Sequence, residues 1–385
     1  MKDRKIYCLN QISPKGIAEF RDGYAVTGEL DEAAGVLVRS ANMHDVEFPD
    51  GLRAIARAGA GVNNIPIDRC SEAGIVVFNT PGANANSVKE LVIAGMLLAS
   101  RDLIGGNEWV RENIKKAAEQ AKKAFAGHEI AGKTLGVVGL GAIGVLVANA
   151  AASLGMDVCG YDPYLSVESA WKLSPKVRHM ESLEELAEVS DFLTVHVPAN
   201  DATKHMIDAK VIARLKRGAV VLNFARDSIV DEEALGNGID SGLVRTYVTD
   251  FANPVSARLK SAIVLPHLGA STDEAEDNCA LMAARQMQDY LDNGNITNSV
   301  NFPAIDLGTC ETAARVAILH RNLPNTIAKI TGFFGESGLN IENLANKSRD
   351  AYAVTLLDLD KAMPHDTVER LKEIEGVLRV RRVKE

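Results

Sequence analysis

The sequence predicts an α/β chain of two doubly wound parallel sheets followed by a smaller β-α-β-β-α-β module. Three observations carry that expectation. As far as residue 293, short apolar runs alternate with turns and helical patterns, and strands separated by helices pair in parallel with helices on both faces. Residues 294–309 (GNITNSVNFPAIDLGT) are rich in Gly, Asn and Pro, lack helical periodicity and read as an interdomain linker. Beyond them the order of segments changes to strand, helix, strand, strand, helix, strand, the ferredoxin-like order.

The first sheet is expected from Ile6–Leu9, Gly35–Val38, Ala54–Ala56 and Ile75–Phe78. Polar or glycine-rich residues follow three of these strands: Arg39-Ser40, Gly59-Ala60-Gly61 and Asn79-Thr80. Ligands of open α/β sheets bind beyond the carboxyl ends of strands, so these are site residues by position. A charged stretch, Glu108 to Ala126, reads as a solvated helix. The second sheet is expected from Thr134–Val138, Val158–Tyr161, Phe192–Val197, Val220–Asn223, Tyr247–Thr249 and Ile263–Leu265, and a long amphipathic helix from Thr272 to Leu291. The last module is expected as strand Arg315–Leu319, helix Pro324–Glu336, strands Ile341–Ala345 and Ala351–Leu359, helix Pro364–Ile374 and strand Leu378–Val383.

Composition narrows the class. A length of 385 residues suits two or three domains at roughly 150 residues each. The formal net charge of −9, from 42 basic and 51 acidic residues, disfavours a nucleic-acid or anionic-membrane binder, which needs basic excess. Five scattered cysteines without a C-x-x-C pair argue against a disulfide framework and a zinc site, so no metal is expected. The opening residues lack a signal-peptide core, and the most apolar run, Leu91–Ala99, falls far short of the ~20 residues of a membrane span. A cytoplasmic, reduced protein is the expectation.

The 31 glycines cluster, and one cluster carries chemistry. Gly139-Leu-Gly141-Ala142-Ile143-Gly144 is a G-x-G-x-x-G that follows an apolar strand, opens a helix and precedes a second strand ending at Asp162. The glycines allow a tight turn and close approach to a pyrophosphate, and the helix N-terminus offers free N–H groups to that anion. Asp162 would accept hydrogen bonds from ribose hydroxyls and repel a 2′-phosphate; Pro163 and Tyr164 follow it, with no basic residue. NAD is therefore expected over NADP. Three further polar groups stand at carboxyl ends of strands in this half: Arg226 after Asn223-Phe224-Ala225, Asp250, and His267 within Pro266-His267-Leu268-Gly269. Hydride transfer on a hydroxy acid needs such groups, because a cation must bind the carboxylate and an acid–base group must move a proton near neutral pH.

With these motifs in place the chain resembles the D-isomer-specific 2-hydroxyacid dehydrogenases, through Gly139–Gly144 with Asp162, His196-Val197-Pro198, Asn223–Asp231 and Pro266–Thr272. Leu37-Val38-Arg39-Ser40, Arg57–Asn64 and a C-terminal segment similar to an ACT regulatory domain point to members acting on 3-phospho-D-glycerate, which is oxidised to 3-phosphohydroxypyruvate on the route to L-serine. The resemblance implies that Arg226 holds the carboxylate and polarises the reacting bond, that His267 is the acid–base group, and that Asp250 contacts the nicotinamide carboxamide. It adds Val197, Phe224, Ala225, Gly269 and Ala270 to the cofactor contacts. Arg39, Ser40, Ala60, Gly61 and Asn84 would line the substrate side, with Arg57 as a second cation for the phosphate. His320, Asn322 and Asn340 match positions that bind L-serine in regulated members, although Asn325 stands where a glycine is usual. A ligand-free dimerisation module is the other reading of this segment.

One departure stands out. The family places a glutamate before the proline that follows the Asp250 region, as partner of the histidine, and here that position is Asn253-Pro254. Loss of the carboxylate would lower the histidine pKa relative to the family, and Asp250, Asp273 and Glu274 are open as substitutes. The expected organisation is a substrate domain (1–95 with 288–305) closing over an NAD domain (96–287), then a regulatory domain (306–385), in a homodimer or homotetramer. The competing readings are the same chemistry on another 2-hydroxy acid (glyoxylate, 2-hydroxyglutarate, 4-phosphoerythronate) and a non-enzymatic NAD-sensing corepressor on this fold.

Overall fold

The computed structural model describes residues 4–113, 124–364 and 366–384. Its first sheet holds β1 (Arg4–Cys8), β2 (Tyr24–Thr27), β3 (Gly35–Val38), β4 (Ala54–Arg57) and β5 (Val76–Phe78), all parallel, in the order β2-β1-β3-β4-β5. Strands β3, β4 and β5 serve two cores. Val36, Val38, Ile55 and Val77 face one, and Leu37, Ala54, Ala56, Val76 and Phe78 face the other. Burial on both sides is why they read as continuous apolar runs rather than alternating ones. β2 escapes the sequence reading because it is a short, half-exposed edge strand.

The second sheet holds seven parallel strands in the order β12-β11-β10-β9-β6-β7-β8. They are β6 (Thr134–Val138), β7 (Asp157–Tyr161), β8 (Arg178–His179), β9 (Phe192–Val195), β10 (Ala219–Asn223), β11 (Val244–Thr249) and β12 (Ala262–Val264). The strand order reverses between β6 and β9, which places a ligand crevice at their carboxyl ends. Helices Ala85–Ser100 and Ala142–Ser153 cover one face, and Leu183–Val189, Ala209–Arg214 and Glu232–Asp240 cover the other. Of the charged helix expected over 108–126, residues 114–123 lie outside the described residues; Leu103–Asn113 is helical with no buried residue.

The last sheet is antiparallel, in the order β14-β15-β13-β16, from β13 (Ala314–Arg321), β14 (Ile341–Arg349), β15 (Tyr352–Leu359) and β16 (Val377–Lys384). With helices Thr326–Glu336 and Thr367–Lys372 it completes the expected β-α-β-β-α-β order. Val316, Ile318, Leu357 and Leu359 face these helices. Ala317, Leu319, Val354 and Leu356 face the other way, into the core of the first sheet, where they join Ile6, Leu37, Phe78 and Met287.

The chain thus divides into two compact units, one made of the segments up to Ala83 and from Glu276 onward, the other of Asn84–Ala275. The three-domain division expected from sequence differs in two respects. The C-terminal module shares a core with the first sheet, and the junctions fall at 83/84 and 275/276 rather than at 95/96 and 287/288. Residues 294–309 are a packed strap rather than a free linker. Val300 N–H donates to the Val77 carbonyl (2.9 Å), Asn301 Oδ1 accepts from Val77 N–H (2.9 Å), Asn301 Nδ2 donates to the Ile75 carbonyl (2.9 Å), and Phe302 is fully buried. Polar composition concealed this, because Asn301 satisfies a strand edge and Asn295 the strap's own backbone instead of solvent. Among the described residues, no helix is long and apolar enough to cross a membrane.

Arg315, the second residue of β13, is completely buried. Its Nε and Nη2 donate to both oxygens of Asp358 on β15 (2.5 and 2.9 Å), and its remaining donors reach the carbonyls of Asn293, Leu307 and Gly308 (3.0, 3.1 and 2.6 Å). Removing one member of a buried pair strands the other charge, so Arg315→Leu is expected to destabilise the protein by about 3–5 kcal/mol in urea unfolding. Arg315→Leu with Asp358→Leu should recover part of that loss; a double variant no more stable than the single one would refute the charge-stranding account.

Candidate active site

The glycine loop joins β6 to helix Ala142–Ser153 at the reversal point of the second sheet. Gly139 adopts φ +88°, and a Cβ there would press on the Val197 side chain and the His196 carbonyl. A Cβ on Gly144 would overlap the Gly139 carbonyl oxygen, whereas space around Gly141 is open. The helix begins after Gly141 with no side-chain cap, so the N–H groups of its first turn, including those of Ala142 and Ile143, are left for an anion. Asp162 follows β7; one carboxylate oxygen accepts from Leu140 N–H and the other from Tyr164 N–H, both at 2.8 Å. The carboxylate is thereby locked beside the loop with lone pairs remaining for ribose hydroxyls.

Arg226, Asp250 and His267 gather at the carboxyl ends of β10, β11 and β12. Asn223 folds the turn after β10: its Oδ1 accepts from Ala225 N–H (3.1 Å) and its Nδ2 donates to the Arg226 carbonyl (2.8 Å). Arg226 projects outward from this turn, bonded only to the Ala225 carbonyl (2.6 Å), and forms no ion pair with a described residue. Asp250 Oδ2 accepts from Gly269 N–H (2.7 Å), while Oδ1 is buried without a partner. Burial pushes the Asp250 carboxyl upward, opposed by the Gly269 N–H and the nearby His267 and Arg226. His267 is exposed, with a left-handed φ of +41° held by its N–H bonding the Asp250 carbonyl (2.8 Å). A non-glycine residue in that region is strained, and such strain is concentrated at functional sites.

Between Arg226 and His267 lies Phe251. The His267 ring is tilted against the Phe251 ring at 4.7 Å, and the Arg226 guanidinium lies 5.5 Å from the same ring. Phe251 was not singled out from sequence; its position directly after Asp250 was the available signal. Asn253 does not take over the role of the missing glutamate. Its Oδ1 caps the turn at 256–258 by accepting from Val255 and Ser256 N–H (2.9 Å each), and its amide serves Glu232. His267 makes no side-chain hydrogen bond with a described residue, and of the three proposed substitutes Asp250 is the carboxylate that interacts with it electrostatically.

Other expected contacts are more modest. Phe224 is buried in the core against Gly95, so only its backbone is left for a cofactor. Gly269 is fixed by Ser87 Oγ donating to its carbonyl (2.8 Å), with Ala270 beside it. Asn84 occupies the N-cap position of helix Ala85–Ser100 without capping it. In the other unit, Arg39 and Ser40 follow β3, and Arg57, Ala60 and Gly61 follow or end β4. Arg39 pairs with Glu276, and Arg57 Nε donates to the Arg39 carbonyl (3.0 Å). Gly59, at φ +150°, leaves room for the Arg57 guanidinium, which a Cβ would overlap. Asn10, missed from sequence, holds Arg39 N–H (2.9 Å) at the point where the first sheet reverses between β1 and β3. In the C-terminal module Asn322 and Asn340 are exposed, but His320 is buried, with Nδ1 bonded to the Arg321 carbonyl and Nε2 to Thr355 Oγ1 (2.9 Å each).

The unpartnered Asp250 oxygen suits an amide N–H₂, the uncapped helix suits a pyrophosphate, and Asp162 suits a ribose. Together with the exposed arginine and histidine, these define a dinucleotide-dependent dehydrogenase on a Rossmann-type sheet. Residues 93–269 match the family described as "D-isomer specific 2-hydroxyacid dehydrogenase, NAD binding domain". The chain is 33% identical over 350 residues to the D-3-phosphoglycerate dehydrogenase of Haemophilus influenzae, covering 87% of this chain and 82% of that one. It is 37% identical over 267 residues to the protein of the same name from Methanocaldococcus jannaschii, covering 68% of this chain but 49% of that longer one. It also resembles the NAD⁺-bound 3-phosphoglycerate dehydrogenase structure from Entamoeba histolytica (29% identity, TM-score 0.61, covering 78% of this chain and 99% of that one). The chain belongs to the D-isomer-specific 2-hydroxyacid dehydrogenase family, and NAD is its cofactor.

His196, just beyond β9 and beside Gly139, is half-buried, with Nε2 3.0 Å from Thr194 Oγ1 and a buried Nδ1 that has no partner. Burial pushes its pKa down to about 3. It is therefore neutral when folded, while the unfolded chain takes up a proton below about pH 6.5. A depressed pKa makes stability fall as pH drops, by about 2 kcal/mol from this residue between pH 7 and pH 5. Urea unfolding at both pH values should show His196→Leu losing that much less than the wild type; equal losses would overturn the assignment.

Proposed function

We propose that the chain oxidises 3-phospho-D-glycerate to 3-phosphohydroxypyruvate. The observation that carries this reading is the juxtaposition of the unpaired Arg226 and the exposed His267 across Phe251, next to the free oxygen of Asp250. The names of the relatives support the substrate. NAD, when bound, supplies the hydride acceptor. Arg226 binds the substrate carboxylate through charge-assisted hydrogen bonds and draws electron density from the reacting oxygen. His267 begins neutral, accepts the hydroxyl proton as the hydride leaves, and returns it in the reverse direction. Phe251 limits the positions open to both side chains, and Asp250 stabilises the protonated imidazole from a distance. The mobile charge of His267 thus has a carboxylate nearby although Asn253 replaces the usual partner. Arg39, Ser40, Arg57 and the Ala60-Gly61 backbone serve the phosphorylated end of the substrate.

The C-terminal module is read as an L-serine-binding regulatory domain of the ACT type. Its fold supports this, as do the exposed Asn322 and Asn340. The enclosed His320 acts there by shaping the loop rather than by touching ligand. β14 lies at the sheet edge, its nine residues pairing on one side only and with a break at Glu342, which supports association of copies through this module into a homodimer or homotetramer.

NADH formation from 3-phosphoglycerate tests the main reading. Arg226→Gln should lower kcat/KM about 10²–10³-fold, and His267→Asn about 10²–10⁴-fold, with the pH dependence of the basic step removed. Phe251→Leu should lower kcat/KM about tenfold without weakening NAD binding. No turnover by the wild type with this substrate, alongside turnover of glyoxylate or another 2-hydroxy or 2-keto acid, would reassign the substrate. Millimolar L-serine should raise Tm and reduce the rate in the wild type but not in Asn340→Ala; no response of the wild type would remove the serine reading.

A further inference from the structure

The first unit holds a concentration of arginines that the dehydrogenase reaction does not use. Two neighbouring cavities, of about 620 and about 260 Å³, share Arg53 and Arg381 in their walls. Arg379 lines the larger and Arg4 the smaller. Arg53 immediately precedes β4, whereas Arg379 and Arg381 are alternate residues of β16. The cavities therefore lie where the C-terminal sheet meets the amino-terminal ends of β1, β3 and β4. Arg39, Ser40 and Arg57 stand at the opposite ends of β3 and β4, a strand length of about 13 Å away. The cluster is thus separate from the candidate substrate residues.

The charges are held at a cost. Arg381 is 4% exposed; it bonds the Tyr290 and Leu291 carbonyls (3.3 and 3.2 Å), its guanidinium covers the Tyr290 ring at 4.2 Å, and its buried Nε has no partner. Arg379 donates to the Leu52 carbonyl. No described carboxylate forms an ion pair with Arg53, Arg379 or Arg381. Asp50 touches the larger cavity and acts on Arg379 at longer range; Glu32, on the smaller, pairs with Lys5, and Asp292 pairs with Arg4 and Arg21. Burial, followed by the repulsion of Arg381, lowers the Arg53 pKa to about 10. Packing alone does not call for the guanidiniums of Arg53, Arg379 and Arg381, with Lys372 and Arg382 also on its wall, around one void. An isolated Arg desolvates poorly, and like charges destabilise one another.

We propose that this void is a binding site for a small molecule carrying two or more phosphoryl groups, gripped by Arg53, Arg379 and Arg381. Guanidiniums match phosphoryl oxygens in pairs of parallel hydrogen bonds. Three of them call for more negative charge than a single carboxylate brings, and the larger cavity admits more than one phosphate. Such a ligand would bridge β16 to the end of β4. Occupancy would thereby tie the C-terminal module to the sheet that carries Arg39 and Arg57.

The probe is inorganic pyrophosphate, titrated by calorimetry and thermal unfolding into the NAD-saturated enzyme, so that the glycine loop is filled. The wild type should bind it and gain several degrees in Tm at millimolar concentration, beyond sodium chloride of equal ionic strength. Arg53→Gln and Arg379→Gln should each weaken binding at least tenfold and leave turnover without pyrophosphate unchanged. Ligand-free Arg53→Gln should melt at or above the wild-type temperature, because a repelled charge has been removed; this result also establishes that the variant folds. Wild-type protein that does not bind pyrophosphate, or variants that bind it as the wild type does, would overturn the proposal. So would citrate binding as tightly as pyrophosphate, since the site would then lack phosphoryl selectivity.

Discussion

One guanidinium closes the first unit. Arg315 leaves a central strand of the antiparallel sheet, neutralises Asp358 on the neighbouring strand, and spends its remaining donors on carbonyls at residues 293, 307 and 308. It therefore fixes both ends of the strap over 294–309. The strap in turn pairs with β5 through Val300 and Asn301. A buried charge of this kind contributes little net stability compared with an apolar substitute, but it admits only one arrangement of its acceptors. The specificity of the junction between strap, antiparallel sheet and parallel sheet rests on that restriction.

The second unit uses polar groups in a similar way, to fix turns beyond strand ends. Asn223 shapes the loop that presents Arg226, and Asp250 anchors Gly269. Both residues are buried, and each reaches backbone rather than solvent. The exposed catalytic candidates are consequently carried by immobile supports, which is what transfer chemistry demands of its positioning groups. Phe251 completes the arrangement by giving a cation and an imidazole one common apolar surface.

Most of the architecture was legible because parallel strands buried on both faces announce themselves as apolar runs, and because the glycine loop, Asp162, Arg226 and His267 occupy positions dictated by strand ends. What escaped has physical causes. Edge strands β2 and β8 are too short to show a period. The strap looked like a linker because Asn301 bonds to a strand edge that sequence cannot locate. The sharing of a core by the C-terminal sheet and the first sheet was hidden because Ala317, Leu319, Val354 and Leu356 look like ordinary strand residues until a partner for their face is known. Asn253 marked the loss of the histidine's usual carboxylate partner, but the task its short amide performs instead, a local cap, depends on the fold of the following turn. His320 read as a ligand contact, whereas burial has already satisfied both of its nitrogens.

The shared core also sets an order of events during synthesis. The segments ending at Ala83 and beginning at Glu276 cannot complete their common interior until both have been made, and residues 84–275 emerge between them. At about 5–20 residues per second, that interval lasts about 10–40 s. During it, the apolar face of the first sheet lacks its cover, while the intervening compact unit already has its whole sequence. Assembly of the first unit is therefore a late, long-range event, of the kind that folds slowly and is exposed to misassociation. A nascent chain of this design would gain most from a chaperone in the period before its final strands appear.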